Sequence, residues 1–133
     1  VPVTDDGKII LVEQFRKLIE KVSLEIPAGK LDKGENPDHC AVRELQEETG
    51  YTSKNIRKIL TINPVGAYAD EVIHIYLATE LSAGKSHPDE DEFISAKAFS
   101  FDEIMSMIEK SIITDSKTIA AILFAARLLK IGS

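Results

Sequence analysis

The sequence is poor in residues that define several protein classes. It has one cysteine, Cys40, no tryptophan and five prolines among its 133 residues. A single cysteine cannot form an internal disulfide, which excludes a disulfide-stabilised miniprotein and predicts a reducing, cytoplasmic location. With 44% hydrophobic and 29% charged residues, the chain has an ordinary globular composition, so a disordered or collagen-like chain is also excluded.

Long apolar runs and basic runs are missing as well. The longest apolar run, residues 119–126, stops at Arg127 and is too short to span a bilayer, and no signal-peptide pattern is present. Sixteen basic and 22 acidic residues give a net charge of −6. These features predict no membrane association and no broad nucleic-acid binding, and they favour the binding of cations.

The length fits a single domain, residues 1–133, because either half alone would be too small for a good core. The chain begins with Val1 rather than methionine. We therefore expect that an upstream N-terminal segment is absent from this sequence.

The order of predicted elements indicates the fold class. Hydrophobic patterning and turn residues predict strands at 1–4, 9–15, 24–26, 56–63, 72–78 and 93–99, with a hairpin turn at 5–7. Helices are predicted at 37–49, at 101–110 and from 116 to about 131, with Asn36, Ser100 and Asp115 as N-caps and Gly50 after the first helix. Mixed strands and helices predict an α/β sandwich around a mixed sheet.

The helix at 37–49 carries an unusual group of acids. At about 100° per residue, Glu44, Glu47 and Glu48 fall within an arc of about 100°, beside an apolar stripe that includes Leu45. Each like-charge pair costs roughly 0.2–0.5 kcal/mol in water, and a hard cation such as Mg²⁺ removes that repulsion. Taken alone, such a stripe is more often a solvated acidic face than a metal site.

The surrounding residues reverse that preference. Residues 29–51 fit the pattern Gly-x5-Glu-x7-Arg-Glu-U-x-Glu-Glu-x-Gly-U, where U is a bulky apolar residue; the matching residues are Gly29, Glu35, Arg43, Glu44, Leu45, Glu47, Glu48, Gly50 and Tyr51. At average residue usage, the fixed positions match by chance about once in 10⁸ to 10⁹ starts. The segment is identified as a Nudix box, and the chain resembles the Nudix hydrolases. Tyr51 is a mild departure, because an aliphatic residue is more usual there.

The residues of the box suggest separate roles. Gly29 and Gly34 let the loop bend tightly beneath the helix, and Arg43 can reach back to Glu35 as a structural pair between helix and loop. Glu44 and Glu48 lie one turn apart and can reach one ion.

Glu47 can take a second ion or its water. The resemblance further implies a Nudix α/β/α sandwich, metal ligation by the backbone carbonyl of Ala28, and Mg²⁺ as the cofactor, with Mn²⁺ as an alternative.

Three flanking features resemble the ADP-ribose pyrophosphatase branch of the family. They are residues 12–16 followed by 25–30, Pro64 with residues 70–74, and the acidic run 89–94. The resemblance implies that Arg16 contacts the substrate diphosphate, which suits a bidentate guanidinium. It also implies substrate contacts for Glu25, Lys30 and Glu71, the last with the terminal ribose, and a homodimer.

The acidic loop 89–92 closes over the diphosphate in related enzymes. By that resemblance Glu92 is assigned to metal and Glu90 to the general base, although the two roles could be exchanged. The box alone does not settle the base, because a carboxylate that holds two cations is a weak proton acceptor. Glu90 and Glu47 are thus the candidate catalytic carboxylates.

The predicted reaction is metal-assisted attack of water on a nucleoside diphosphate linked to another group, most simply ADP-ribose giving AMP and ribose 5-phosphate. Hydrolysis of another nucleotide sugar or a dinucleotide is one alternative. A non-catalytic domain that senses ADP-ribose is another, although such domains often lose box glutamates. Cys40 has no paired catalytic motif and is interpreted as a packing residue.

Overall fold

The fold consists of five strands and three helices in the described part of the chain. A computed structural model describes residues 1–83 and 96–132. The elements are β1 (Ile9–Arg16), β2 (Lys21–Glu25), α1 (Pro37–Thr49), β3 (Tyr51–Ile62), β4 (Ile73–Ala83), β5 (Lys97–Phe99), α2 (Phe101–Glu109) and α3 (Ser116–Leu129), with a short 3₁₀ turn at Lys17–Ile19 between β1 and β2.

The strands form two antiparallel sheets, ordered β2-β1-β5 and β3-β4. The N-terminal residues connect them, because Pro2 forms a parallel bridge to Ala78 and Val3 an antiparallel bridge to Ile9. Residues 1–4 were predicted as a full strand and form isolated bridges instead. The sequence predicts a mixed sheet. Within residues 1–83 and 96–132, the parallel pairing is confined to the bridge between Pro2 and Ala78.

The helix starts are confirmed at all three predicted caps. The Asn36 side chain accepts a hydrogen bond from the Asp38 backbone N–H at 2.7 Å, and Ser100 and Asp115 cap α2 and α3 in the same way. Gly50 ends α1 with a left-handed φ of 76°, which glycine adopts without strain. The ends of α2 and α3 fall one or two residues before the predicted ones, within the usual fraying of helix ends.

Strand β1 is covered on both faces. Its first four residues, Ile9 to Val12, are all buried, whereas a strand with one solvated face would alternate. Ile9 and Leu11 join a core cluster with side chains from β4, α2 and α3. Helix α1 contacts β3 and β1 and buries Leu45. It also lies beside the segment that follows β2, because Glu48 accepts a hydrogen bond from the Ala28 backbone.

The β3–β4 hairpin is longer than predicted. It pairs from Tyr51 with Ala83 to Ile62 with Ile73, with an irregularity between Lys58 and Leu60. The added residues 51–55 and 79–83 are largely polar, so they lack the apolar alternation on which the prediction depended. Of the predicted strand 93–99, the structure describes Lys97–Phe99 as β5, and residues 93–95 lie outside the described ranges.

Among the helices in the described ranges, none has both the length and the apolar character needed to cross a bilayer.

Candidate active site

The site is built where residues 26–30, the segment after β2, cross α1. The backbone N–H of Ala28 donates to Glu48 Oε2 at 2.9 Å, and the Gln14 side chain of β1 donates to the other Glu48 oxygen at 3.4 Å. The Arg43 guanidinium donates to the carbonyl of Lys30 at 3.2 Å. Hydrogen bonds thus join α1 to this segment at two places, at Glu48 and at Arg43.

Arg43 is the centre of the loop–helix contact. Its Nε and Nη2 donate to both oxygens of Glu35, at 2.8 and 2.9 Å, so the structure brings together the two residues expected to pair. These bonds, with one from the Asp32 backbone, lower the pKa of Glu35 to about 2. Nη1 of Arg43 also donates to Glu44 at 2.8 Å and Glu47 at 3.0 Å, contacts that the sequence pattern does not predict.

Replacing Arg43 by alanine should harm the fold more than the chemistry. It removes hydrogen bonds to three carboxylates and to the Lys30 carbonyl, and an ion pair with a fourth carboxylate, Asp32, so we expect a Tm lower by about 5 °C or more. Thermal melts of Arg43→Ala, Glu35→Ala and the double variant test this, with Arg57→Ala on an exposed part of β3 as the matched control. If the fall in stability of the double variant equals the sum of the two single falls, Arg43 and Glu35 do not form a direct pair.

Glu44 and Glu48 both lie against the Ala28–Gly29 backbone, Glu44 at Gly29 and Glu48 at the Ala28 N–H. A Cβ added to Gly29 would lie 2.0 Å from the Glu44 carboxyl carbon, so the Glu44 carboxyl fills the space that a side chain at Gly29 would need. Burial raises the pKa of Glu48 to about 7, against the opposing effect of the Ala28 N–H, and burial also raises the pKa of Glu44. Two half-buried carboxylates whose ionised forms are disfavoured are suited to a divalent cation.

Glu47 does not join Glu44 and Glu48 in one ligand cluster. Its side chain is 54% exposed and contacts Arg43, and the described residues contain no group of three acidic, histidine or cysteine side chains placed to hold a metal ion. Glu90 and Glu92, the expected base and metal ligand of the acidic loop, lie outside the described residues.

Arg16 and Glu25 form an ion pair at the edge of the site. Arg16 donates to both oxygens of Glu25, with the Nε–Oε2 distance at 2.8 Å, and Lys117 donates to Glu25 Oε1 at 2.7 Å. Burial alone would raise the pKa of Glu25, but the hydrogen bonds from Arg16 and Lys117 outweigh it and lower the pKa to about 2. Glu25, which was expected to contact substrate, is therefore a buried carboxylate held by cations.

The remaining substrate candidates lie in a different cleft. Lys30 and Glu71 line a space of about 470 Å³ together with Gly29 and His74, whereas Arg16 and Glu25 border a separate cleft near the start of α3. The Nδ1 atom of His74 is buried and lacks a hydrogen-bond partner within the described structure. Sequence reasoning gave His74 no role, because a lone histidine on a strand carries no metal or catalytic spacing.

Cys40 packs beneath the same segment. It is buried, and its Sγ lies 3.9 Å from the Gly29 carbonyl oxygen and 3.7 Å from that of Lys30. Burial raises the pKa of its thiol. An inert, packed cysteine fits this environment better than a nucleophile does.

Comparisons with known proteins match the chain to one family. A family model described as the NUDIX domain matches residues 1–122. The chain is 48% identical over 122 residues to an ADP-ribose pyrophosphatase of Bacillus subtilis, covering 90% of this chain and 66% of that protein. It is 43% identical over 124 residues to a methanol dehydrogenase activator of Bacillus methanolicus, covering 92% of this chain and 67% of that protein.

The chain thus spans about two thirds of the length of these two relatives. A solved structure described as an ADP compounds hydrolase superposes with a TM-score of 0.85 at 24% identity, covering 98% of this chain and 70% of that chain. This likeness supports the fold.

Proposed function

Because the chain belongs to the Nudix family, we propose that it hydrolyses the pyrophosphate bond of ADP-ribose to AMP and ribose 5-phosphate. The observation that carries the proposal is the placement of the Glu44 and Glu48 carboxylates together against the Ala28–Gly29 backbone. The 48% identity to an ADP-ribose pyrophosphatase favours ADP-ribose over other nucleoside diphosphates.

Nudix hydrolases generally need a divalent metal, and for this chain we propose Mg²⁺, with Mn²⁺ as an alternative. Glu44, Glu48 and the carbonyl of Ala28 would hold it. When bound, such an ion polarises phosphoryl oxygens and lowers the pKa of a coordinated water. Burial of the two carboxylates keeps competing water away and makes a cation their natural partner.

The chain's own groups provide substrate binding. The Arg16 side chain is 49% exposed, so its guanidinium can reach a diphosphate while staying close to Glu25. Lys30 and Glu71 share the cleft of about 470 Å³ beside Gly29, and we place the terminal ribose there, with Glu71 accepting from its hydroxyls. Such paired contacts fix the reacting phosphorus relative to the carboxylates.

The proposal is tested by product analysis on a panel of ADP-ribose, a second nucleotide sugar and a dinucleotide, each with Mg²⁺ or Mn²⁺. AMP and ribose 5-phosphate formed fastest from ADP-ribose support it. Faster cleavage of another compound reassigns the substrate and keeps the chemistry. Tight binding of ADP-ribose without turnover would identify a sensing domain and overturn the hydrolase proposal.

We assign Glu90 to the general base and Glu92 to metal. If these roles are right, Glu90→Gln should lower kcat with little change in the Mg²⁺ requirement, whereas Glu92→Gln should raise the Mg²⁺ concentration for half-maximal rate. Steady-state kinetics over a Mg²⁺ titration distinguish the two, with Glu109→Gln on the exposed end of α2 as control. If both variants have wild-type kinetics, the assignment of Glu90 and Glu92 is wrong, and Glu47 and Glu71 become the candidates for the general base.

We also propose a homodimer in the cytoplasm. Side chains at and next to the β1–β2 turn are apolar and strongly exposed; they are Phe15, Leu18, Ile19 and Val22, with Leu18 fully exposed. A contiguous apolar patch favours a protein interface, and a second copy of this chain would cover it. Sedimentation analysis of the wild type and of a Leu18→Glu variant tests the dimer.

The cytoplasmic location is proposed from the thiol of Cys40, because a free thiol suits a reducing compartment.

A further inference from the structure

Glu25 is a buried carboxylate with two cationic partners. It is 2% exposed, and its oxygens accept hydrogen bonds from Arg16 and from Lys117. A buried carboxylate left without a cation is strongly destabilising. Arg16 and Lys117 share this cluster with a second carboxylate, Asp115, yet both cations converge on Glu25, which is the more deeply buried of the two acids.

Glu25 and the proposed substrate diphosphate compete for the Arg16 guanidinium. Its Nε and Nη2 atoms, the pair best placed for a bidentate contact, both point at Glu25. The same pair is what a phosphate group would engage most favourably. If Arg16 turns towards the diphosphate, Glu25 loses two of its hydrogen bonds while it stays buried.

Lys117 is fixed so that it stays on Glu25. Its side chain is 12% exposed, and its Nζ lies 2.9 Å from Asp115 Oδ2 as well as 2.7 Å from Glu25. Asp115 in turn caps α3 by accepting from Thr118, and the Thr118 hydroxyl accepts from the Ile26 backbone N–H at 3.1 Å. The ammonium group is therefore held by the end of β2 and by the start of α3.

The position of Lys117 in its helix strengthens the case. It lies in the first turn of α3, where the helix dipole disfavours a positive charge. The dipole therefore does not explain a lysine here, whereas its ion pairs with Glu25 and Asp115 do.

We propose that Lys117 is a positioning residue that keeps Glu25 compensated, so that Arg16 can be shared between Glu25 and the substrate diphosphate. This rests on the proposed function for the phosphate contact of Arg16. Lys117 itself touches no substrate. It lowers the cost of moving Arg16, and it keeps the end of β2, from which the Ala28–Gly29 segment continues, in place.

The test compares Lys117→Met with Lys117→Arg, using ADP-ribose and Mg²⁺. Lys117→Met should raise KM by about tenfold, the lower end of what a hydrogen bond to a charged group contributes, with a smaller change in kcat. Lys117→Arg should remain close to the wild type. Lys8→Met, at a lysine that is 49% exposed, is the matched control.

The decisive variant is the double substitution Glu25→Gln with Lys117→Met. It removes the buried charge of Glu25, while Asp115 keeps its hydrogen bonds from Thr118, so Arg16 is free to move and KM should return to within a few-fold of the wild type. A KM that stays as high as in Lys117→Met alone would overturn the proposal, because it would mean that Glu25 or Lys117 contacts substrate directly. A wild-type KM in Lys117→Met would overturn it as well.

A second measurement needs no substrate. Thermal melts of Arg16→Ala, Lys117→Met and the double variant should show a combined loss larger than the sum of the single losses, since each cation compensates for removal of the other. Additive losses would contradict shared compensation of Glu25. If the wild type fails to hydrolyse ADP-ribose, the proposed function falls while this cycle still decides the role of Lys117.

Discussion

Glu48→Gln should lose most of its turnover while folding normally. Glu48 is held by the Ala28 N–H and is half-buried, so the amide can occupy the same place but offers a poor metal ligand. Bound metal contributes several kcal/mol to transition-state stabilisation, so we expect the rate at limiting Mg²⁺ to fall by about 10²–10⁴-fold.

The fold should not suffer from this change. Burial raises the pKa of Glu48 to about 7, which means that the ionised carboxylate is disfavoured in the folded protein when no cation is bound. The metal-free Glu48→Gln protein should therefore melt at or slightly above the wild-type Tm.

Calorimetric Mg²⁺ binding, kinetics over a Mg²⁺ titration and thermal melts with chelator measure these three effects. Glu109→Gln, an exposed acid on α2, is the control. Near-normal kcat at limiting Mg²⁺ would remove Glu48 from the metal site.

The fold class and the centre of the site could be predicted because their signals are local. The caps of α1, α2 and α3 are short-range patterns, and all three are found in the structure. The spacing of Glu44 and Glu48 on α1 follows from helix geometry alone. The resemblance to the Nudix box agrees with the family match over residues 1–122.

Contacts between distant parts of the chain could not be predicted in the same way. Lys117 meets Glu25 across 92 positions, and nothing in the residues around Lys117 marks it as a partner of a strand end. The polar ends of β3 and β4 are strands because they pair with each other, since their composition carries little strand preference of its own. Such features depend on tertiary structure and have no short-range pattern.

Gly29 has a different physical role from the one that the sequence predicts. The sequence suggested that Gly29 and Gly34 both allow a tight bend. Gly34 does adopt a left-handed φ of 77°, whereas Gly29 is not among the residues with positive φ. What Gly29 provides is space, because the Glu44 carboxyl lies only 2.0 Å from where its Cβ would be.

Gly29→Ala should therefore damage activity while sparing the fold. The added Cβ would approach the Glu44 carboxyl to 2.0 Å, and the flexible end of Glu44 can swing away at little cost in stability. The displaced carboxylate would leave its place against Gly29. Because the change acts on a ligand through its neighbour, we expect a loss of about 10–100-fold in metal affinity or activity.

Gly66→Ala is the matched control, since a Cβ there would meet Asn63 at an ordinary 3.9 Å. It should leave Tm, Mg²⁺ requirement and rate close to wild type. Gly29→Ala should have the same Tm as Gly66→Ala, but it should need more Mg²⁺ to reach half of its maximal rate. A large fall in Tm for Gly29→Ala would mean that the glycine serves the backbone rather than Glu44. Unchanged kinetics would mean that Glu44 can bind the cation from another position, and that its contact with the Gly29 backbone has no part in placing the metal.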